Sequence, residues 1–175
     1  MSTGEFSRIV KCDHLPPGPL TIAANDSERA ALAQRFRLTS IERLSAVVRL
    51  AESDGSIDVT GRLEAGFHQR CAIADVPFAN SLDESLAIRF VRALAPGSEE
   101  EALEFGADDP DEIEYDGASF DLGEAIAQSF GLAIDLYAVG PDAETVRREA
   151  GLADENAPTG PFAALAALRG GSKED

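Results

Sequence analysis

Tryptophan is absent from this 175-residue chain, and phenylalanine and tyrosine together supply only 6% of it. Stacking on unpaired bases therefore cannot be a large part of any nucleic-acid binding. The two cysteines, Cys12 and Cys71, lack CxxC spacing. They argue against a disulfide framework and a four-ligand zinc site, and they fit a reducing compartment. No apolar run approaches the roughly 18 residues of a membrane span. The first residues, Met1-Ser2-Thr3-Gly4-Glu5, lack the basic and apolar regions of a signal peptide. The expectation is a cytoplasmic protein with no membrane partner.

A hydrophobic fraction of 44% with 27% charged residues is ordinary for a globular fold, and the length suits one domain with some tail. Net charge is −17, unevenly spread. The first 50 residues hold seven bases against five acids, so the acidity belongs to the remainder. Between Glu99 and Glu124 stand 12 acids and no lysine or arginine. That block repels itself and any phosphate backbone, so RNA contact must lie elsewhere.

Weak alternation over Phe6 to Val10 predicts a strand, and Leu20 to Ala24 predicts another after a proline-rich connection. Asn25-Asp26-Ser27-Glu28 reads as a capping box opening a helix to about Phe36, with Leu32, Ala33 and Phe36 on its apolar face. Arg35 and Arg37 point away from that stripe. From Ile41 to Arg70 the period becomes two. Leu44, Ala46, Val48 and Leu50 share one face, and Arg43, Ser45, Val47 and Arg49 the other. With Asp54-Gly55 as a tight hairpin turn, Leu50 faces Val59, Val48 faces Gly61, Ala46 faces Leu63 and Leu44 faces Ala65. A third strand over Ser85 to Val91 turns Leu86, Ile88 and Phe90 inward and Arg89 outward. Ile113-Glu114-Tyr115 is strand-like within the acidic loop. Asp121 caps a second helix, with Glu124 at its third position and an apolar stripe of Leu122, Ala125, Ile126, Phe130 and Ala133. Ala143 to Ala150 has helical character, Ala153 to Gly160 has no periodicity, and Pro161 to Leu168 is too short to hold a helix unaided.

The predicted fold is α+β: an antiparallel sheet meander packed by two main helices, with an acidic loop and a partly ordered C-terminal tail. Residues 1–139 form a single domain. Residues 140–175 form a linker and tail ending in a short helix-like docking segment.

Motifs for catalysis are wanting: there is no G-x-S-x-G elbow, phosphate-binding glycine loop or H-E-x-x-H, and only two histidines. An enzyme is not expected, nor is a cofactor. Adjacent Cys12-Asp13-His14 cannot generally converge on one ion, and no second cluster completes a site. His68 and Cys71, three apart in a strand, point to opposite faces. Cys71 then reads as a small buried apolar residue. Asp121 and Glu124 are explained by helix capping and need no substrate.

The outward hairpin face is the best candidate site, because Arg43, Arg49, Arg62, His68 and Arg70 project from it and Arg89 extends it. Such an array can follow a phosphate backbone, positioning RNA without reading its sequence. The competing reading is ordinary surface pairing with Glu42, Glu64 and the acidic loop. In the tail, Phe162, Leu165 and Leu168 either close over the domain's own core or dock on a partner.

Three segments, in order, resemble the YceD family of bacterial large ribosomal RNA subunit accumulation proteins. They are Gly61 to Phe90 centred on Gln69-Arg70-Cys71, Asp121-Leu122-Gly123-Glu124 running on to Tyr137, and Pro161-Phe162-Ala163-Ala164-Leu165-Ala166-Ala167-Leu168. The resemblance implies a YceD-like domain in ribosome assembly, promoting accumulation of 23S ribosomal RNA by binding precursor RNA or pre-ribosomal particles. It brings no enzymatic activity. Leu136 stands where many relatives have a proline before the tyrosine. The cysteine-rich C-terminal segment of some branches is missing, and with it any zinc-dependent grip on RNA. An alternative, set by the overall acidity, is a protein-interaction module that holds a basic ribosomal protein before its incorporation.

Overall fold

In a computed structural model, the protein is described over residues 5–93 and 110–151. Glu99 to Asp109 of the acidic block, the stretch from Ala153 to Gly160 and the tail residues Phe162, Leu165 and Leu168 lie outside the described residues. The elements are β1 (Ile9–Lys11), β2 (Leu20–Ala23), α1 (Asp26–Arg35), β3 (Ser40–Ser53), β4 (Ser56–Arg70), β5 (Pro77–Arg92), β6 (Asp111–Tyr115), β7 (Ser119–Asp121), α2 (Leu122–Ala133) and α3 (Ala143–Glu149).

The hairpin β3–β4 has the register the alternation predicts, with Leu50 opposite Val59, Val48 opposite Gly61, Ala46 opposite Leu63 and Leu44 opposite Ala65. Its turn works because Asp54 and Gly55 both adopt positive φ, 49° and 81°. A two-residue turn whose twist matches the strands requires that of both positions. One feature escapes strict alternation. Ile41 and Leu44 are both buried although three apart, because a register shift leaves Glu42 as an extra residue between the pairs Ile41–Phe67 and Arg43–Gly66.

Five strands form the main sheet in the order β2-β3-β4-β5-β6. The pairs β2–β3 and β3–β4 are antiparallel. β6 joins parallel to β5, with Ile88 opposite Asp111 and Arg92 opposite Tyr115. β5 begins eight residues before the predicted Ser85, at Pro77. Its first half reads as a loop because Asn80, Ser81, Asp83 and Glu84 interrupt the apolar positions.

The inner face packs Leu44, Ala46 and Val48 with Val59, Leu63, Ala65 and Phe67 and with Leu86, Ile88 and Phe90, all buried. Each large side chain so placed contributes about 1.5 to 3 kcal/mol. Phe130 of α2 meets the edges of Phe67 and Phe36, both at 5.6 Å between ring centres. α1 opens with the predicted capping box, in which Asn25 Oδ1 accepts from Glu28 N at 3.0 Å and Glu28 Oε2 accepts from Asn25 N at 2.8 Å.

β1 starts at Ile9 rather than Phe6. The Arg8 N–H is given to Asp121 Oδ1 at 2.7 Å and the Ser7 hydroxyl to Asp121 Oδ2 at 2.6 Å, so the ladder with β7 opens only beyond them, at Ile9 opposite Asp121. The same Asp121 caps α2 by accepting from Gly123 N and Glu124 N. Glu124 does not complete a capping box. It turns outward to Arg35, whose Nη1 and Nη2 lie 2.9 and 2.8 Å from its carboxylate. Arg35 thus joins α1 to α2 instead of standing free.

Two compact units divide the described residues, one within Met1–Gln69 and Ala79–Leu136, the other within Arg70–Phe78 and the chain from Tyr137. In the second, Cys71 is buried as predicted. It is more than apolar filling, since its Sγ accepts from the N–H groups of Ala74 (3.3 Å), Ile73 (3.4 Å) and Gly140 (3.3 Å). Those amides hold the thiol below its ordinary value, Ala74 foremost, against the opposing effect of burial.

Candidate functional site

The register of the hairpin places Arg43 and Arg49 of β3 and Arg62 and His68 of β4 on the solvent side of the sheet, and Arg89 follows on β5. Alternation alone dictates this, because their neighbours Leu44, Val48, Leu63, Phe67, Ile88 and Phe90 are buried on the other face. Arg70 ends β4 but belongs to the second unit, where it donates to the Asp75 carbonyl at 2.6 Å and pairs with the Asp75 carboxylate at 3.1 Å.

Most of these cations have a carboxylate beside them. Arg43 Nη2 is 3.6 Å from Glu64 Oε2. Arg62 grips Asp83 in a two-pronged contact, with Nη2 to Oδ2 at 2.6 Å. Arg89 Nε donates to Asp58 Oδ1 at 2.7 Å. Arg62 opposing Asp83 while Arg89 opposes Asp58 means that β5 descends as β4 ascends, which is the antiparallel arrangement expected of the meander. Asp83 is held below its ordinary value chiefly by the Arg62 hydrogen bonds. Among the described residues Arg49 makes no ion pair.

His68 is tied to the bulge. Its Nδ1 lies 2.7 Å from Glu42 Oε1, and the Ser40 hydroxyl donates to the same oxygen at 2.5 Å. Ser40 first, then His68, hold the Glu42 carboxyl below its ordinary range. The extra residue in β3 is what turns Glu42 to the solvent side beside His68.

The face therefore carries four arginines, Arg43, Arg49, Arg62 and Arg89, and four carboxylates, Glu42, Asp58, Glu64 and Asp83. Its charges alternate instead of summing to a positive field. Alternation along β4 extends to Asp58, two positions before Thr60 and four before Arg62, and could have exposed it as a partner on this face. Asp83 could not be found that way, since the turn joining β4 to β5, closed by Cys71 N to the Val76 carbonyl and Asp75 N to the Cys71 carbonyl, both at 3.0 Å, carries no Asp-Gly or Asn-Gly pair that would announce its register in the sequence. Chemically, exposed pairs of this kind are worth only about 0 to 1 kcal/mol. A phosphate can take the place of a carboxylate on any of them at small cost.

No group of three or more histidine, cysteine or acidic side chains among the described residues could hold a metal ion. No helix among them is long and apolar enough to cross a membrane. Compared with family models, curated proteins and solved structures, the chain has no match in any of the three.

Proposed function

We propose that this protein is a cytoplasmic ribosome-assembly factor that promotes accumulation of large-subunit 23S ribosomal RNA, without enzymatic activity. It works by contact with precursor RNA or pre-ribosomal particles through the solvent face of its sheet. The observation that carries the contact is the single surface on which Arg43, Arg49, Arg62 and Arg89 project from three adjacent strands. Resemblance of the segments around Gln69-Arg70-Cys71 and Asp121 to Tyr137 to YceD proteins supplies the ribosomal assignment. Guanidinium groups spaced along a twisted sheet suit a phosphate backbone, and their exposed carboxylate partners are readily exchanged.

A second reading is favoured by the near-balance of charge on that face and by the net charge of −17. In it the chain is an acidic protein-interaction module that holds a basic ribosomal protein, and its effect on RNA is indirect. The net negative charge repels naked RNA and slows that encounter, whereas it attracts a basic protein and speeds that one.

Purification of tagged protein from its own cells at moderate salt, with and without ribonuclease, separates the two. Large-subunit RNA that co-elutes and is lost together with its proteins after digestion supports the first. One basic ribosomal protein that survives digestion supports the second. Recovery of neither removes the ribosomal role.

A further inference from the structure

The sheet ends on one side in a strand that covers only part of its neighbour. β6 pairs with Ile88–Arg92 of β5, whereas β5 itself runs from Pro77. Among the described residues nothing pairs with residues 80–87 on that side. The ladder stops at Pro110, immediately before β6, where the chain has no N–H to give. An unpaired row of backbone donors and acceptors is a template for another strand.

Directly beneath this open edge lies a groove of about 350 Å³. Leu63 and Leu86 floor it from the sheet, and Leu132 and Ala133 wall it from α2. Leu132 is 80% exposed, an unusual condition for a leucine on a helix whose other face fills the core. Glu84 and Asp111 are the only charged residues of the lining. Glu84 occupies an inward position in β5, two residues before buried Leu86. Asp111, opposite Ile88, has the inward parity of Ile113 and Tyr115. Apolar floor, carboxylate rim and backbone unpaired among the described residues thus coincide at one place.

The geometry points to a strand-addition site for an extended basic peptide along residues 80–87 of β5. Main-chain hydrogen bonds to β5 supply the affinity, one aliphatic side chain enters the groove against Leu63, Leu86, Leu132 and Ala133, and lysine or arginine side chains two residues to either side of it, on the same strand face, meet Glu84 and Asp111. Charge complementarity selects this occupant. The site lies apart from the arginine face and holds whether or not that face touches RNA, so its failure and the failure of the RNA reading are separately visible.

The test uses the full chain and the probe acetyl-Thr-Lys-Thr-Val-Thr-Lys-Thr-amide, whose two lysines share the strand face of the valine, with the glutamate-for-lysine peptide as control, followed by fluorescence anisotropy and by amide hydrogen exchange. The lysine peptide is expected to bind, the glutamate peptide to fail, and the amides within residues 80–87 to gain protection. Combined Glu84→Lys and Asp111→Lys should weaken binding about tenfold or more, while Lys11→Glu in β1 leaves it unchanged. Circular dichroism confirms that the exposed substitutions leave the fold intact. Binding untouched by the double reversal, protection gained elsewhere in the chain, or amides of residues 80–87 already fully protected in the free protein would each overturn the proposal.

Discussion

Gly61 of β4 lies so close to Val48 of β3 that a Cβ added to Gly61 would fall 2.8 Å from the Val48 Cα and collide with the Val47 carbonyl oxygen. No backbone can yield there without opening the hairpin on which the arginine face is built. Gly61→Ala is therefore expected to destabilise the protein by about 1 to 3 kcal/mol, read as a lower urea midpoint with an unchanged slope. Gly66, which pairs with Arg43 beside the bulge and has open space at its Cβ position, serves as the control, and Gly66→Ala should be nearly neutral.

Asp121 joins the segment before β1 to the start of α2. One carboxylate caps α2 and takes the Ser7 hydroxyl and the Arg8 N–H. Asp121→Ala removes the cap, worth about 1 kcal/mol, and leaves the Arg8 amide seeking a partner. A total loss of about 2 to 3 kcal/mol is expected in chemical denaturation. Asp121→Asn, which keeps one acceptor oxygen, should lose less. Equal losses for the two variants would show that the cap geometry is not what matters.

Acid should unfold the protein partly through two carboxylates. Glu28 receives both nitrogens of Arg8, at 2.7 and 2.9 Å, and Glu124 receives both of Arg35. Those hydrogen bonds hold each carboxyl below its ordinary value. A carboxyl whose folded value is depressed contributes stability that is complete above the unfolded value of about 4.3 and is lost as pH falls through the lower folded value. The thermal midpoint should thus be level from about pH 7 to 5 and drop below about pH 4. Glu124→Gln should lower it at neutral pH and make the acid decline shallower.

Ion pairing on the solvent face makes its arginines unequal. Arg49 makes no ion pair among the described residues, while Arg62 is held by Asp83. Arg49→Glu should therefore weaken binding to a large-subunit RNA fragment more than Arg62→Glu does per substitution. Asp83→Asn, by freeing Arg62, should strengthen it. A filter-binding series on the three variants checks the order.

Local chemistry made parts of this fold legible in the sequence. Asp54-Gly55 fixes the hairpin turn, the turn fixes the register, and the register sends Arg43, Arg49 and Arg62 to solvent. Asn25 with Glu28 and Asp121 before Leu122 mark the two helix starts for the same reason, since a cap is satisfied within three residues. What depended on distant partners was not legible. Asp83 and Asp58 neutralise Arg62 and Arg89 only once β4 and β5 are set side by side, the parallel seating of β6 needs Ile88 to meet Asp111, and Ser7 and Arg8 reach Asp121 across more than a hundred residues. The bulge at Glu42 leaves no mark in composition, and Cys71 reveals its three amide donors only when Gly140 returns to it.

Direct contact between the arginine face and RNA is the central claim, and salt dependence of binding tests it most directly. Affinity for a 23S precursor fragment would be measured from low to physiological salt for the native chain and for the combined variant Arg43→Glu, Arg49→Glu, Arg62→Glu. The account predicts a steep fall with salt for the native protein and, for the variant, a slope of log affinity against log salt that is shallower by about 2 to 3. A native slope near zero, or a variant that binds with unchanged affinity and slope, would contradict it.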